Sequence, residues 1–478
     1  MKKASLISIS ILLMFSDNLL AQKITEGHWG KKRFDVAYSV APTNDGGYIL
    51  SGLTQSGIDT IGDIVVIKLS AQCDTQWTMV YGGPLLEGGN YVFQTADEGY
   101  LVAGHTEDFG AQDCDAFIMK LDKNGTRQWF KYYGGQYDDI SEGTIELSTG
   151  EFVISGITES YGNPDGSRRR HAYFFKTNAS GDLIWQKYYA GKGTEYAYSI
   201  ANMTNNSGFM AVGYSTSWGN GEKDGWLLHL NENGDTLWTT LYKNQGETRY
   251  YQIIPTIDNG FMIAGFTSQT STCRPQGLLI KLDADGKKVW EKLYGDTSTG
   301  IIFRGVTQLP NGNFVCAGVN YKNDALGSAY TLTTDLMGNK LSDDFYGGNN
   351  SYATSIAAQG NNGLMIAGAS AKYGDPLLDL YYMQIDNTNS GVPNITQLSP
   401  RLFPNPVVDR SIIILPASHA YQLVQLDIIN TNGQIVNSQK NIMAKDLVID
   451  HSYLAIGSYT FRINCKDGAE YVGRFVIQ

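Results

Sequence analysis

Short apolar runs alternate with glycine-centred turns along most of this chain, and one such run returns seven times. It reads GGYILSG ending at Gly52, EGYLVAG at Gly104, GEFVISG at Gly156 and SGFMAVG at Gly213, then NGFMIAG at Gly265, NGNFVCAG at Gly318 and NGLMIAG at Gly368. The final glycines lie 52, 52, 57, 52, 53 and 50 residues apart. Inside each period, apolar and polar positions alternate as in strands, with Gly, Asn and Asp breaking the runs. In the second copy the pattern predicts strands over Asn90 to Ala96, Tyr100 to Gly104, Ala116 to Leu121 and Arg127 to Tyr133. Turns are expected at Asp97-Glu98-Gly99 and Asp122-Lys123-Asn124-Gly125. Four antiparallel strands per period, repeated seven times, predict an all-β fold built as a seven-bladed β-propeller over residues 22–386.

The fourth strands carry Trp77, Trp129, Trp185, Trp238 and Trp290, each four residues before a tyrosine (Tyr81, Tyr133, Tyr189, Tyr242, Tyr294). Large flat rings at one place in successive blades suit the seams where blades stack. In the sixth copy Leu341 stands where the tryptophan is expected, ahead of Phe345-Tyr346. The seventh copy has no such segment after its third strand, Asp379 to Ile385. Lys23 to Gly30, with Trp29 in the Tyr81 register, is therefore expected to supply the missing outer strand and close the ring.

The Leu-Asp-x-x-Gly-x-x-x-Trp segments, Leu121 to Trp129 and Leu282 to Trp290, resemble the tryptophan-docking repeats of quinoprotein-like propellers. Taken together, GGYILSG, DAFIMKLDKNG and Trp-x-x-x-Tyr-Gly-Gly resemble the repeats of secreted bacterial propeller proteins. Residues 387–400, rich in Gly, Pro, Asn, Ser and Thr, read as a linker. Beyond them, Leu402-Phe403-Pro404-Asn405-Pro406 is followed by Leu426 to Asn430 and by Asn432-Gly433-Gln434-Ile435-Val436. Gly457-Ser458-Tyr459-Thr460-Phe461 and Gly473 to Ile477 complete the pattern. Residues 401–478 thereby resemble the C-terminal sorting domain of the Bacteroidetes type IX secretion system. Alternating strands and Asn-Gly, Ile-Gly and Asp-Gly turns predict a small Ig-like β-sandwich there. The resemblance implies that Pro404, Asn405, Pro406, Gly433, Gly457 and Tyr459 belong to the sorting motif and that the domain engages the type IX machinery. It also implies that the cargo is secreted or held at the outer-membrane surface, where lipopolysaccharide is a further partner.

The first 21 residues, with two lysines, an apolar stretch from Leu6 to Phe15 and a small residue at Ala21, read as a secretory signal peptide. The apolar stretch is too short to span a bilayer. A net charge of −11 argues against nucleic acid as partner, since phosphate binding needs clustered Lys and Arg. The one strongly basic run, Arg168 to Arg170, is expected to be a solvated loop tip. Five cysteines (Cys73, Cys114, Cys273, Cys316, Cys465) show neither metal-ligand spacing nor an adjacent pair, which disfavours a quinone-dependent dehydrogenase. The six histidines are scattered, and HExxH, GxSxG and P-loop patterns are missing. Asp283-Ala284-Asp285-Gly286 resembles part of a calcium loop but is read as a hairpin turn.

Two sets of residues are candidates for function. Phe109, Tyr161, Trp218 and Tyr373, each followed by glycine in the variable loop after the second strand, suit stacking on sugar rings or gripping a protein. Asp35, Glu87 and Asp139 sit seventeen residues before the repeat's final glycine, and Glu195 and Glu247 eighteen before. They are expected near the channel mouth, where they could hold Ca²⁺, the single cofactor entertained, or work as an acid–base pair. The expectation is a binding or scaffold propeller for a glycan or protein. The alternative is an extracellular glycan hydrolase or lyase using carboxylates on the loop face.

Overall fold

A computed structural model describes residues 23–386 and 401–477, apart from short stretches within them. The excepted stretches are 31–32, 59–60, 109–112, 204–206, 220–221, 243–245, 271–273, 297–298, 323–325, 360–362 and 373–376 in the first part, and 404–409, 415–422, 431–433, 444–445, 451–453 and 466–469 in the second. The chain divides into two compact units, residues 1–388 and 389–478. The first is a seven-bladed β-propeller of four-stranded antiparallel sheets. In blade 1 the strands run Asp35–Pro42, Tyr48–Thr54, Asp63–Leu69 and Thr75–Tyr81, paired in that order from the axis outwards. Each first strand packs against the first and second strands of a neighbouring blade, and the series closes on itself between blades 7 and 1.

Second and third strands are apolar on both faces because each sheet is sandwiched between two others. Ile49, Ile64 and Val66 of blade 1, for example, share a core with Val92, Val102, Phe117 and Met119 of blade 2. Outer strands consist of exposed and half-buried positions, as expected where one edge meets water. In blade 2 the first strand is Glu87–Gln94, beginning before the expected Asn90. The cause is a β-bulge: the register shifts between Gly89 and Tyr91, leaving Asn90 unpaired and breaking the alternation.

That bulge occurs in all seven blades, at Tyr38, Asn90, Glu142, Tyr198, Tyr251, Arg304 and Thr354. The residue just before it faces the repeat's final glycine across the ladder, as in Ala37↔Gly52 and Tyr250↔Gly265. The backbones meet so closely there that a Cβ on Gly52 would stand 1.9 Å from the Val36 carbonyl oxygen. On Gly265 it would stand 2.0 Å from that of Arg249. The recurrent glycine is thus the space that the bulge needs.

The seams repeat as well. Each tryptophan lies over the glycine of the next blade's outer hairpin turn: Trp77 over Gly125, Trp129 over Gly181, Trp185 over Gly234, Trp238 over Gly286 and Trp290 over Gly338. Those glycines have φ between 75° and 82°, and any Cβ there would strike the ring within 3.0 Å. In four of these five seams the tyrosine four residues on donates its hydroxyl to the same glycine's carbonyl, as from Tyr133 to Gly181 at 2.5 Å and from Tyr294 to Gly338 at 2.7 Å. In blade 6 the slot is filled by Ser342, which pairs with Thr333 as Trp77 pairs with Lys68. Leu341 is the unpaired neighbour and is exposed, so the expected Leu341-for-Trp replacement shifts by one residue.

Blade 7 is completed by the N-terminal strand Lys23–Trp29, antiparallel to Asp379–Asp386. Trp29↔Leu380 reproduces Tyr81↔Ile64, and Thr25 takes the tryptophan slot. Facing it, blade 1 carries Cys73 at φ 70° in place of glycine. Blades 7 and 1 share an apolar core that includes Met365, Leu380, Tyr382, Leu50 and Val65. Hydrogen bonds from Thr354 Oγ1 to the Ala37 carbonyl (2.6 Å) and from Gln384 Nε2 to that of Ala71 (3.1 Å) add to it.

The second unit is a β-sandwich. Arg401–Phe403, Arg410–Ile414 and Asp446–Asp450 form one sheet. Ile435–Met443, Leu423–Asn430, Gly457–Cys465 and Glu470–Ile477 form the other. Its core is Ile413, Leu426, Ile428, Leu447, Phe461, Ile463 and Phe475.

Deleting Lys23–Trp29 is expected to lower the melting temperature of the whole propeller by 10 °C or more, on the order expected for an unpaired edge and an uncovered core; an unchanged melting curve would rule the closure out. Gly265→Ala is expected to cost about 1–3 kcal/mol by forcing the bulge apart, measurable as a lower denaturant midpoint.

Candidate functional site

The bulge turns one side chain per blade out of the ladder and towards the axis. Tyr38, Asn90, Glu142, Tyr198, Tyr251 and Thr354 are half-buried and Arg304 is exposed, although all seven sit on innermost strands. The groups feel one another across the ring. Burial pushes the Glu142 carboxyl up to about 7, with Arg304 and Arg170 pulling it back. Tyr38 is raised to about 12 by burial, then by Tyr352 and by Glu142 two blades away. Bulge side chains of successive blades also touch, Tyr198 with Tyr251 and Tyr251 with Arg304, so they line one channel.

One side of the channel is aromatic. The rings of Tyr198 and Tyr251, from blades 4 and 5, have centroids 5.1 Å apart, and Tyr196 lies 5.3 Å from Tyr198. Tyr214 stacks on Tyr196 at 4.9 Å with 15° between planes. Three guanidinium groups join them. Arg170 is held by Glu159 through Nε at 2.9 Å and donates to the Tyr196 hydroxyl. Arg249 bonds Glu247 and lies 5.3 Å from the Tyr214 ring centre. Arg304 lies over the Tyr251 face at 4.1 Å. Sequence reasoning missed this wall because the bulge position has no shared residue type. Its signal was positional: it lies fourteen residues before the repeat's final glycine, fifteen in blade 4.

The expected loop aromatics are placed differently. Tyr161 turns down onto the ring: its hydroxyl donates to the Gly134 carbonyl at 2.7 Å, and it stacks against Tyr188 at 6.0 Å. Trp218 keeps 43% of its surface exposed, with its ring 5.0 Å from that of Trp226 on its own blade. Phe109 and Tyr373 lie outside the described residues. The arginine run stays partly exposed and is engaged with acids, Arg168 with Asp113 and Glu159 and Arg169 with Asp165, which makes it a salt-bridged loop.

Four of the five expected carboxylates, Asp35, Glu87, Asp139 and Glu195, open their first strands and are fully buried. Asp35 accepts hydrogen bonds from Thr54 and Ser56, the latter at 2.7 Å, and Asp139 accepts from Ser160 at 2.7 Å and from the Gly135 amide at 2.9 Å. Glu87 accepts from the Gly83 amide at 3.1 Å, and Glu195 from His171 at 2.9 Å. Glu247 precedes its strand, and Thr248 takes the equivalent place; the first hairpin of blade 4 is one residue longer, which makes the two spacings look alike. Among the described residues no group of three His, Cys, Asp or Glu side chains could hold a metal ion. Instead, acids meet in pairs across seams. A Cβ on Gly134 would stand 2.0 Å from Asp115 Oδ1 and 2.6 Å from Asp139 Oδ2. Both carboxyls are raised to about 6, first by burial, Asp115 also by Asp139. Asp283 caps its hairpin by accepting from the Asp285 and Lys287 amides at 3.0 and 2.8 Å, as a turn and not as a calcium loop. Cys114 and Cys316 are buried thiols whose pKa burial drives far up; Cys273 lies outside the described residues.

In the second unit Gly457 opens its strand, and Tyr459 stacks on Phe475 at 5.6 Å while donating to the Ala455 carbonyl at 2.9 Å. Pro404, Asn405, Pro406 and Gly433 lie outside the described residues, as do the expected leader and linker. Residues 401–478 match the family described as the secretion system C-terminal sorting domain. The chain is accordingly exported, to the cell surface or the medium, and its sorting domain engages the type IX machinery. Among the described residues no helix is long and apolar enough to cross a membrane. No curated protein matches the chain. Similar solved structures include two extracellular-domain structures of a signalling-system protein from B. thetaiotaomicron, both at 11% identity. Their TM-scores are 0.43 and 0.44, over 93% and 94% of this chain, which spans 57% and 60% of theirs. The Pan2 WD40 domain of Neurospora crassa matches at TM-score 0.47 and 10% identity, over 75% of this chain and 90% of that one. The β-propeller domain of the Trilobed protease of Pyrococcus furiosus, described as having an open velcro topology, matches at TM-score 0.43 and 10% identity, over 77% of this chain and all of that one.

The paired carboxyls give a pH prediction. A folded-state value near 6, against about 3.9 unfolded, means that the native state binds the proton more tightly. Their stabilising effect is complete below about pH 4 and is lost as pH rises through 6. Asp115→Asn is therefore expected to raise the melting temperature by about 2–4 °C near neutral pH and to leave it unchanged near pH 4; equal melting temperatures at neutral pH would overturn the assignment.

Proposed function

We propose that this exported propeller is a binding protein whose ligand enters the central channel and rests on the wall formed by Tyr196, Tyr198, Tyr251 and Arg304, beside Glu142 of the preceding blade. The observation that carries the reading is the placement of Glu142, Tyr198, Tyr251 and Arg304 at the bulges of four consecutive blades. They bring aromatic rings together with a few convergent polar groups, half-buried apart from the exposed Arg304, a make-up common in ligand sites. A rigid toroid presents such a surface already organised, so little conformational freedom is lost on binding. The hydrolytic alternative has less support. Asp35, Glu87 and Asp139 are sealed between blades, where a glycosidic bond could not reach them without parting the sheets.

The test is a screen of the mature protein on arrays of neutral and charged glycans and on cell-surface proteins, repeated with Tyr251→Leu. The variant is expected to weaken binding of any captured ligand at least about tenfold, the loss typical of a central aromatic contact. Unchanged binding by the variant would move the site away from the channel.

A further inference from the structure

The seam between blades 4 and 5 departs from the other four that carry a tryptophan, in three respects. Two positions beyond the tryptophan, a long side chain usually lies against the next blade's turn glycine. Met79 does so at Gly125, Lys131 at Gly181, Lys187 at Gly234 and Lys292 at Gly338, each within 3.3 Å of where a Cβ would stand. In blade 4 that position is the short, exposed Thr240, and the atoms nearest Gly286 belong to Trp238 and Met210. Lys131 and Lys187 are also paired across their seams with Asp182 and Asp235, the residues after the turn glycines. After Gly286 stands Lys287, so both partners of that closing ion pair are replaced together. Finally, Tyr242 donates its hydroxyl to Glu291, which also pairs with Lys288 at 2.9 Å. The Gly286 carbonyl is thereby without the tyrosine donor that the turn carbonyl has in the other four seams.

The result is a recess of about 440 Å³ between two facing sheets. Leu227, Trp238 and Tyr242 of blade 4 line one side and Ile263, Ile280 and Leu282 of blade 5 the other, with Gly286, Thr240 and Lys287 also contributing. Apolar walls with a few polar groups, at this volume, are the make-up of a small-molecule site.

We propose that this recess binds a planar two-ring aromatic molecule with a neutral hydroxyl, its rings between the sheets and its hydroxyl donating to the Gly286 carbonyl. The ligand would do for this seam what Tyr133 and Tyr294 do for theirs. Facing sheets favour a flat body, and the carbonyl calls for a donor. A fatty acid matches the apolar walls but brings a carboxylate, itself an acceptor, to that carbonyl; Lys287 is the group that would favour it. The site is built from the outer part of the two blades and is independent of the central channel.

The experiment is fluorescence titration of the full-length chain with three probes that share one body: naphthalene, 2-naphthol and 2-naphthoate. Wild type is expected to bind 2-naphthol about three- to tenfold more tightly than naphthalene, the scale of one neutral hydrogen bond. Thr240→Met, which copies the seam of Met79, is expected to melt no lower than wild type and to lose binding of both. Tyr251→Leu, in the channel, is expected to leave both unchanged. Equal affinity for naphthalene and 2-naphthol would refute the hydrogen bond to Gly286. Tighter binding of 2-naphthoate than of 2-naphthol would refute the neutral ligand in favour of an anion on Lys287. Binding that persists in a folded Thr240→Met chain would refute the recess as the site, and failure of every probe to bind would overturn the proposal.

Discussion

Close approach of two backbones, once per blade, is the constraint on which this propeller depends. Where the second strand passes the bulge of the first there is no room for a side chain, and the chain answers with glycine at 52, 104, 156, 213, 265, 318 and 368. The bulge so accommodated does two things. It strengthens the twist of the inner strand, which helps seven sheets turn about an axis. It also frees one residue per blade from the ladder, so the channel lining can vary without disturbing the pairing around it. Architecture and channel lining therefore share a single local cause.

A second contact joins the sheets to one another. The tryptophan of each of blades 1 to 5 is matched to a glycine in left-handed conformation on the blade that follows. Its exceptions are reciprocal. Ser342 replaces the ring where blade 7 has no outer hairpin to cover, and Thr25 replaces it where Cys73 has taken the glycine's place. Ring and glycine come and go together, as expected if each is useful only in the presence of the other. At the seam between blades 4 and 5, Tyr242 bonds Glu291 and not the turn carbonyl, and a recess of about 440 Å³ opens beneath Trp238.

The fold was largely legible in the chain because the repeat is written in glycine, tryptophan and tyrosine, residues chosen by steric need. The N-terminal completion of blade 7 was legible for the same reason: a missing outer strand at one end and an orphan one at the other. First strands were harder to delimit, since a bulge spoils the alternation that marks them. Leu341 was misplaced by one residue because Phe345-Tyr346 offers two rings for one register, and Tyr346 is the one that pairs as Tyr81 does. The carboxylates illustrate the limit of spacing arguments. Asp35, Glu87 and Asp139 do open their strands, but sequence could not tell a residue facing the channel from one sealed in the seam three positions away. The channel wall stayed hidden because tyrosine, asparagine, glutamate, arginine and threonine all serve at the bulge, where the ladder imposes no single residue type.

Pairing of Lys23–Trp29 with Asp379–Asp386 joins segments more than three hundred and fifty residues apart. Six sheets can form from contiguous stretches of chain as synthesis proceeds, whereas the seventh has to wait for residue 386. Loop-closure entropy makes such distant contacts late and slow. A prematurely terminated chain would keep a bare sheet edge, the kind of surface that chaperones and proteases recognise. The N-terminal strand thus works as a completeness check, locking the toroid after the last blade has been made.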